Sequence, residues 1–302
     1  MGRGIYTTPH MQNASPTTLL LERLIQKLSA TSKRVYSSGD LTLLYNELRS
    51  EWNLPKNLTR NKFQELVIES QTLKEVNLAA TYPFDSKRYH RGAFSNYELA
   101  LSLRPDSYLS HGSAAFLHAL TDQEPDFIYV NKEQSPKDHP GSLTQAGINR
   151  AFSNKQRQSA YIVTHAQTQL MLLCGKDSRR RGVKEMKGSQ GETLDVTDLE
   201  RTLIDIAVRP EYGGGIRNVL KCYRRAHKHV RIERLSEMLA ELEYVYPYRQ
   251  AIGFLLKCAG HQPSALRILR KPRLKYNFFL AHAMKHTKFD KEWRITYPAD
   301  LE

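Results

Sequence analysis

The chain has 302 residues, room for about two domains, with 40% hydrophobic and 25% charged side chains and a mean hydropathy of −0.56. That is a soluble globular profile: no apolar run approaches the roughly 18 residues of a membrane helix. The opening MGRGIYTTPHMQNASP has no apolar stretch behind Arg3, so no secretory leader and a cytoplasmic location are expected. With no apolar run of membrane-helix length, no membrane partner is expected; the net charge of +14 points to a nucleic acid, an acidic protein or both as partner, the bland alternative being a charge that only aids solubility.

Residues 1–14 read as a flexible tail. A helix is expected from Ser15, with Pro16 at its first position, where the missing N–H costs nothing. Leu20, Leu24 and Leu28 share one face of it, widened by Leu21 and Ile25. A second helix, capped by Ser38 or Asp40, turns Leu41, Leu44, Tyr45 and Leu48 inward and stops at Pro55. A third starts at Thr59, with Phe63, Leu66 and Val67 at helical spacing. The alternating LKEVNLA, the turn-rich TYPFDSK and the basic KRYHRG then read as two strands around a turn. Three helices followed by such a pair have the order of a winged helix-turn-helix, expected over residues 15–93.

From about Phe94 the texture is that of a larger α/β domain, expected over residues 94–302. FIYV, SAYIVTH and QLMLLC read as strands, and the part after Thr197 as almost entirely helical. The expected fold class is therefore mixed α/β: an N-terminal winged helix and an α/β domain with a helical C-terminal half. Thr197 and Glu200 have capping-box spacing, and Asp198, Arg201, Asp205 and Arg209 form a ladder of opposite charges along one helix. Cys174, Cys222 and Cys258 lie outside metal-ligand spacing and read as free thiols.

A recognition helix needs polar side chains at its N-terminal end and an apolar opposite face. TRNKFQEL supplies both: Thr59 to cap or to bond a phosphate, Arg60 and Asn61 to read guanine and adenine edges, Lys62 for phosphate, and Gln64 for either. The strand pair adds Lys87, Arg88, His90 and Arg91 for the backbone or minor groove. The basic excess lies elsewhere, however. Residues 201–302 carry 20 Lys/Arg against 10 Asp/Glu, and residues 1–100 carry 13 against 9. Within that excess, Arg217, Lys221, Arg224, Arg225, Lys228 and Arg231 are candidates for contact with an acidic partner protein. Arg267, Arg270, Lys271, Arg273 and Lys275 crowd into nine residues, too densely for the solvation of one helix face, and are expected to strengthen contact with DNA or with that partner.

Gly112 and Ser113 followed by Asp122, Glu124 and Asp126 loosely resemble a nucleotidyltransferase signature, but metal-holding acids alternate along a strand, and these lie in the loop TDQEPD. No catalytic role and no cofactor or metal are expected.

The order of a winged helix, RPDSYLSHGSAAFLHALTDQEPDFIYV, VTDLERTLIDIAVRPEYGG, YRQAIGFLLKCAG and a final FDKEWRITYPADL resembles the AbiEi antitoxins of type IV toxin–antitoxin systems, from about Leu20 to Leu301. YLSHGSAAFLHALTD and TDLERTLID are the most specific pieces; Leu199 stands where the family often has proline. The resemblance implies an autorepressor that binds repeated promoter sites. It also implies an antitoxin, often in phage defence, that counteracts a cognate AbiEii-type nucleotidyltransferase toxin, with or without direct contact. The alternative is a stand-alone winged-helix transcription factor whose larger domain senses a small ligand.

Overall fold

A computed structural model describes residues 15–52, 54, 57–83, 87–136, 142–271 and 273–301. The expected tail over 1–14 and the helix stop at Pro55 lie outside the described residues. The protein is mixed α/β, as its patterning predicts, and divides into two units: Met1–Val76 with Ser86–Phe94, and Asn77–Asp85 with Ser95–Glu302.

The first unit holds α1 (Pro16–Ser29), β1 (Val35–Ser37), α2 (Ser38–Trp52), α3 (Arg60–Glu69), β2 (Lys74–Glu75) and β4 (Arg88–His90). Its sheet is antiparallel in the order β1-β4-β2, with Tyr89 opposite both Tyr36 and Glu75. Ser15 caps α1 by accepting from Thr18 N at 3.2 Å. At the start of α2, Asp40 N donates to Ser37 Oγ at 3.1 Å and Ser37 N to the Asp40 carboxylate at 2.7 Å. This reciprocal cap sits one residue earlier than the expected Ser38. Leu24, Leu28, Leu41, Tyr45, Leu48, Phe63, Val67 and Tyr89 meet in one core. Ile25, expected to widen the inner face of α1, is 45% exposed.

Between β2 and β4 the chain departs from the expected arrangement. Residues 77–85 belong to the second unit, where β3 (Ala79–Ala80) pairs antiparallel with β7 (Ile162–His165), Ala79 opposite Thr164. The expected boundary at residue 93 is therefore interrupted: one edge strand of the second unit, β3, begins at the end of LKEVNLA, the run expected as a strand of the first.

The second unit continues with α4 (Asn96–Ser102), β5 (Tyr108–Leu109), α5 (His111–Leu117), β6 (Phe127–Glu133), α6 (Gln145–Ser153), β7, β8 (Thr168–Gly175), β9 (Val183–Lys187), β10 (Thr193–Thr197) and α7 (Leu199–Val208). Seven strands form one mixed sheet in the order β3-β7-β8-β6-β5-β10-β9, with β6–β8 and β5–β10 parallel. Then come α8 (Ile216–Ala226), α9 (Ile232–Glu241) and α10 (Tyr248–Cys258), and a three-stranded sheet of β11 (Phe278–Phe279), β12 (Thr287–Asp290) and β13 (Ile295–Pro298). That last sheet corrects the expectation of an almost entirely helical end; its strands are too short for period-two alternation to show.

Helix α7 lies inside the unit, buried from Glu200 to Ala207. Its cap is Asp198, which accepts from Arg201 N at 3.0 Å, and not the expected Thr197, which ends β10. Nor is the charge ladder a surface feature. Arg201 and Asp205 pair at 2.8 Å with side chains only 5% and 6% exposed. The Arg201 guanidinium also donates to Ser178 Oγ at 2.9 Å and to the Arg181 carbonyl at 2.8 Å. Burial is the largest single influence and works against this cation, but the charge and hydrogen bond of Asp205, together with Tyr108 and Tyr244, outweigh it and raise the Arg201 pKa. Glu133 closes the other side, accepting from Tyr108 Oη at 2.9 Å and from Ser178 N at 3.0 Å. Burial pushes the Glu133 carboxyl up; the hydrogen bonds from Ser178, the Arg180 N–H and Tyr108 together pull harder and hold it below its usual range.

The two C-terminal motifs meet in the same manner. Gln250, 1% exposed, donates to the carbonyls of Tyr276 and Trp293, both at 2.9 Å. Trp293 is fully buried against Gly253, where any Cβ would collide with the indole ring. YRQAIGFLLKCAG thus supplies a socket for the tryptophan of FDKEWRITYPADL.

Two outcomes follow for stability. Arg201→Ala strands the Asp205 carboxylate in the interior and should lower the unfolding free energy by about 3–5 kcal/mol, read by urea denaturation; a loss under about 1 kcal/mol contradicts the buried lock. Burial also pulls the His111 pKa down to about 4 from 6.5. The unfolded chain then binds this proton first, so stability present above about pH 6.5 declines as pH falls toward 4. His261 and His282, lowered by burial as well, add to the slope. His111→Asn, which tolerates the positive φ of 51° found there, should flatten part of it in urea titrations at successive pH values; an unchanged slope contradicts the assignment.

Candidate nucleic-acid interface

Thr59, extended at φ −77° and ψ 165°, caps α3 by accepting from Lys62 N at 3.4 Å. Its hydroxyl takes the capping role of the two read from the sequence. The helix then turns Phe63 and Val67 fully into the core and leaves Arg60, Asn61 and Lys62 exposed, with Gln64 half-buried. Arg60 and Lys62 have no ion-pair partner among the described residues. The first turn of α3 so combines orphan backbone N–H groups, the positive end of the helix dipole and two uncommitted cations.

The strand residues divide. Lys87 is exposed, 3.9 Å from Glu75. Arg88 is 7% exposed and its guanidinium donates to the Lys87 carbonyl at 2.9 Å. The position expected to reach a phosphate is thus part of the framework: Arg88 and Tyr89, on opposite faces of β4, are both buried. Arg91 is half-buried, with Nη1 enclosed and without a hydrogen-bond partner among the described residues. His90 is bonded locally, to the Gly92 carbonyl at 2.9 Å.

In the second unit, the candidate segment also splits. Arg217 pairs with Asp300, Arg225 with Asp122, and Arg231 with Glu200 at 3.4 Å. Lys221, Arg224 and Lys228 are exposed and unpaired among the described residues. Positions 217, 221, 224 and 228 recur at helical spacing, so these cations form one stripe. Ser113, of the loose nucleotidyltransferase likeness, is fully buried and accepts from Tyr129 N at 2.8 Å, while Asp122, Glu124 and Asp126 are exposed on a loop. His227 meets His261, ring centroids 4.1 Å apart, a pairing across 34 positions that spacing does not reveal.

Among the described residues, no group of three or more His, Cys, Asp or Glu side chains is placed to hold a metal ion. No helix among them is long and apolar enough to cross a membrane.

The division within the first unit is testable. Arg88→Ala should lower the unfolding free energy by about 1–3 kcal/mol through lost packing and hydrogen bonds. Lys62→Ala should leave stability within about 0.5 kcal/mol. Equal effects of the two in urea denaturation contradict the division.

No family model and no curated protein matches the chain. Among solved structures, it is similar to that of the RV2827C protein from Mycobacterium tuberculosis, at 16% identity and a TM-score of 0.53 over 92% of this chain and 91% of that one; the likeness extends through both units and is one of fold.

Proposed function

We propose that this protein is an antitoxin of the AbiEi type and a repressor of its own operon, whose first unit is a winged helix that reads promoter DNA. Its second unit counteracts a nucleotidyltransferase toxin. The observation that carries the reading is the first turn of α3: Arg60, Asn61 and Lys62 stand exposed above the buried Phe63 and Val67, on the third helix of a three-helix unit followed by paired strands. Arginine and asparagine form bidentate hydrogen bonds with guanine and adenine, and such contacts need an exposed, polar helix start and a rigid apolar back. Lys87 supplies a backbone contact beside it. The stripe Lys221, Arg224 and Lys228 suits an acidic protein surface: a nucleotide-handling toxin carries metal-binding carboxylates that cations can cover without any chemistry by the antitoxin.

The test uses the full chain, since a fragment starting at residue 94 would lose β3. A triple variant, Arg60→Ala, Asn61→Ala and Lys62→Ala, should lose promoter binding and reporter repression while still rescuing growth from the co-expressed toxin. Singly, Arg60→Ala should cost about 1–3 kcal/mol on the true site, and Lys62→Ala should reduce the log–log salt slope by about 0.9. Lys221→Glu, Arg224→Glu and Lys228→Glu together should do the reverse, keeping repression and losing rescue. Repression that survives the α3 variant contradicts the reading of the first unit; rescue that survives the charge reversal contradicts that of the second.

A further inference from the structure

Two concavities of the second unit share a wall. The first encloses about 530 Å³ between the 3-10 turn Ala265–Arg270, the segment after it and the turn joining β12 to β13. Arg267, Arg270, Lys271 and Arg273 line it with Lys291 and Arg294, six cations against one carboxylate, Glu292. That carboxylate is already shared, 2.9 Å from Lys257 and 3.1 Å from Arg270. Arg267, Lys271, Arg273 and Lys291 have no acidic partner among the described residues. The crowding read in the sequence is thus increased by the fold, which adds two cations from about twenty positions away.

The second concavity, of about 310 Å³, is walled by Tyr244, Tyr246, Tyr248 and Tyr276, with Arg249 and Lys275 at its side. Arg273 and Leu274 line both concavities. The shared segment alternates: Arg273 and Lys275 are exposed, Leu274 and Tyr276 half-buried. It is held rigidly, the Tyr276 hydroxyl donating to the Leu143 carbonyl at 2.7 Å and the Tyr276 carbonyl accepting from Gln250 at 2.9 Å.

A cationic concavity continuous with an aromatic one is a restrictive combination. Protein interfaces also favour arginine and tyrosine, so an acidic protein is the competing occupant; to match six cations against one carboxylate, such a partner would need an equally dense cluster of acids. A nucleic acid duplex meets a protein with its phosphates and keeps its bases stacked inside, so it has no use for a tyrosine groove. A single strand presents both a charged backbone and free base faces, and its binding sites combine cations along the backbone with aromatic rings under the bases.

We propose that the two concavities form one site for single-stranded nucleic acid, with phosphates among Arg267, Arg273 and Lys291 and bases against the half-buried Tyr244, Tyr246 and Tyr276, Tyr248 being part of the core beneath them. The site is separate from α3 and does not depend on the reading of the first unit.

Its test is fluorescence anisotropy on the full chain carrying Arg60→Ala and Lys62→Ala, which silences α3. The probes are a labelled mixed-sequence 12-nucleotide single strand, as RNA and as DNA, and the corresponding duplex. The expected result is single-strand binding about tenfold or more tighter than duplex binding, from the stacking contribution of the bases. The log–log salt slope should be about 0.7 per phosphate contacted. Arg267→Glu, Arg273→Glu and Lys291→Glu, all exposed positions, should together lower single-strand affinity at least tenfold. Because tyrosine replacement endangers folding, the aromatic half is read on the unsubstituted chain, by photo-crosslinking a 4-thiouridine strand and mapping the peptides: crosslinks should fall within 243–249 or 273–276. Binding that favours the duplex, survives the charge reversals or crosslinks only elsewhere overturns the proposal. So does absence of strand binding while a polyglutamate probe binds, which would assign the surface to an acidic protein.

Discussion

The second unit depends on one interaction, the buried pair of Arg201 and Asp205. Placing an arginine inside a protein is tolerated only when its donors are largely met, and here four of the five N–H groups have acceptors: Asp205, Ser178, the Arg181 carbonyl and, at 3.5 Å, the Tyr108 hydroxyl. The partners come from the central helix, from the turn after β8 and from a central strand, so one guanidinium ties three parts of the unit together. The motif pieces YLSHGSAAFLHALTD and TDLERTLID meet at this lock through Tyr108 and Arg201. His118 extends it, its ring nitrogen 2.7 Å from the Thr197 carbonyl, and the hydroxyls of Thr197 and Thr202 lie 2.8 Å apart. The specificity of these pieces is that of a buried polar network, in which most groups are paired and Asp205 Oδ2 is enclosed without a hydrogen-bond partner among the described residues.

Where the fold follows from local periodicity, it was legible. Leu20, Leu24 and Leu28, then Leu41, Tyr45 and Leu48, and Phe63 with Val67 are buried as their spacing predicts, and FIYV, the IVTH of SAYIVTH, and QLMLLC lie in strands. Three features escaped for identifiable reasons. The charge ladder on α7 carries the same pattern whether it is solvated or buried; what distinguishes the cases is the tertiary setting of Ser178 and Tyr108. The strand Ala79–Ala80 is two residues long, and its membership in a sheet is decided by Val163 and Thr164, more than eighty positions away. Arg88 reads as a surface cation in a basic run, while in the fold both faces of β4 are covered at this point, so that Arg88 and Tyr89 are both buried.

The candidate sites show the same limit. Thr59, Arg60, Asn61 and Lys62 follow from a cap and a helical period and were legible at once. The basic excess of the C-terminal third was legible only as a total. The fold apportions it three ways: cations committed to Asp300, Asp122 and Glu200, an uncommitted stripe on and just beyond α8, and a concave cluster completed by Lys291 and Arg294. Net charge therefore reports the presence of an anionic partner more directly than its place.

The central claim is that the first turn of α3 is where this protein meets its promoter. Hydrogen exchange followed by mass spectrometry, on the full chain with and without a saturating promoter duplex, addresses it directly. Contact there should slow exchange of the first-turn amides of α3, at Arg60 to Lys62, which have no partner within the helix. Saturated binding with unchanged exchange across α3 would contradict the account and move the DNA-binding surface to another part of the molecule.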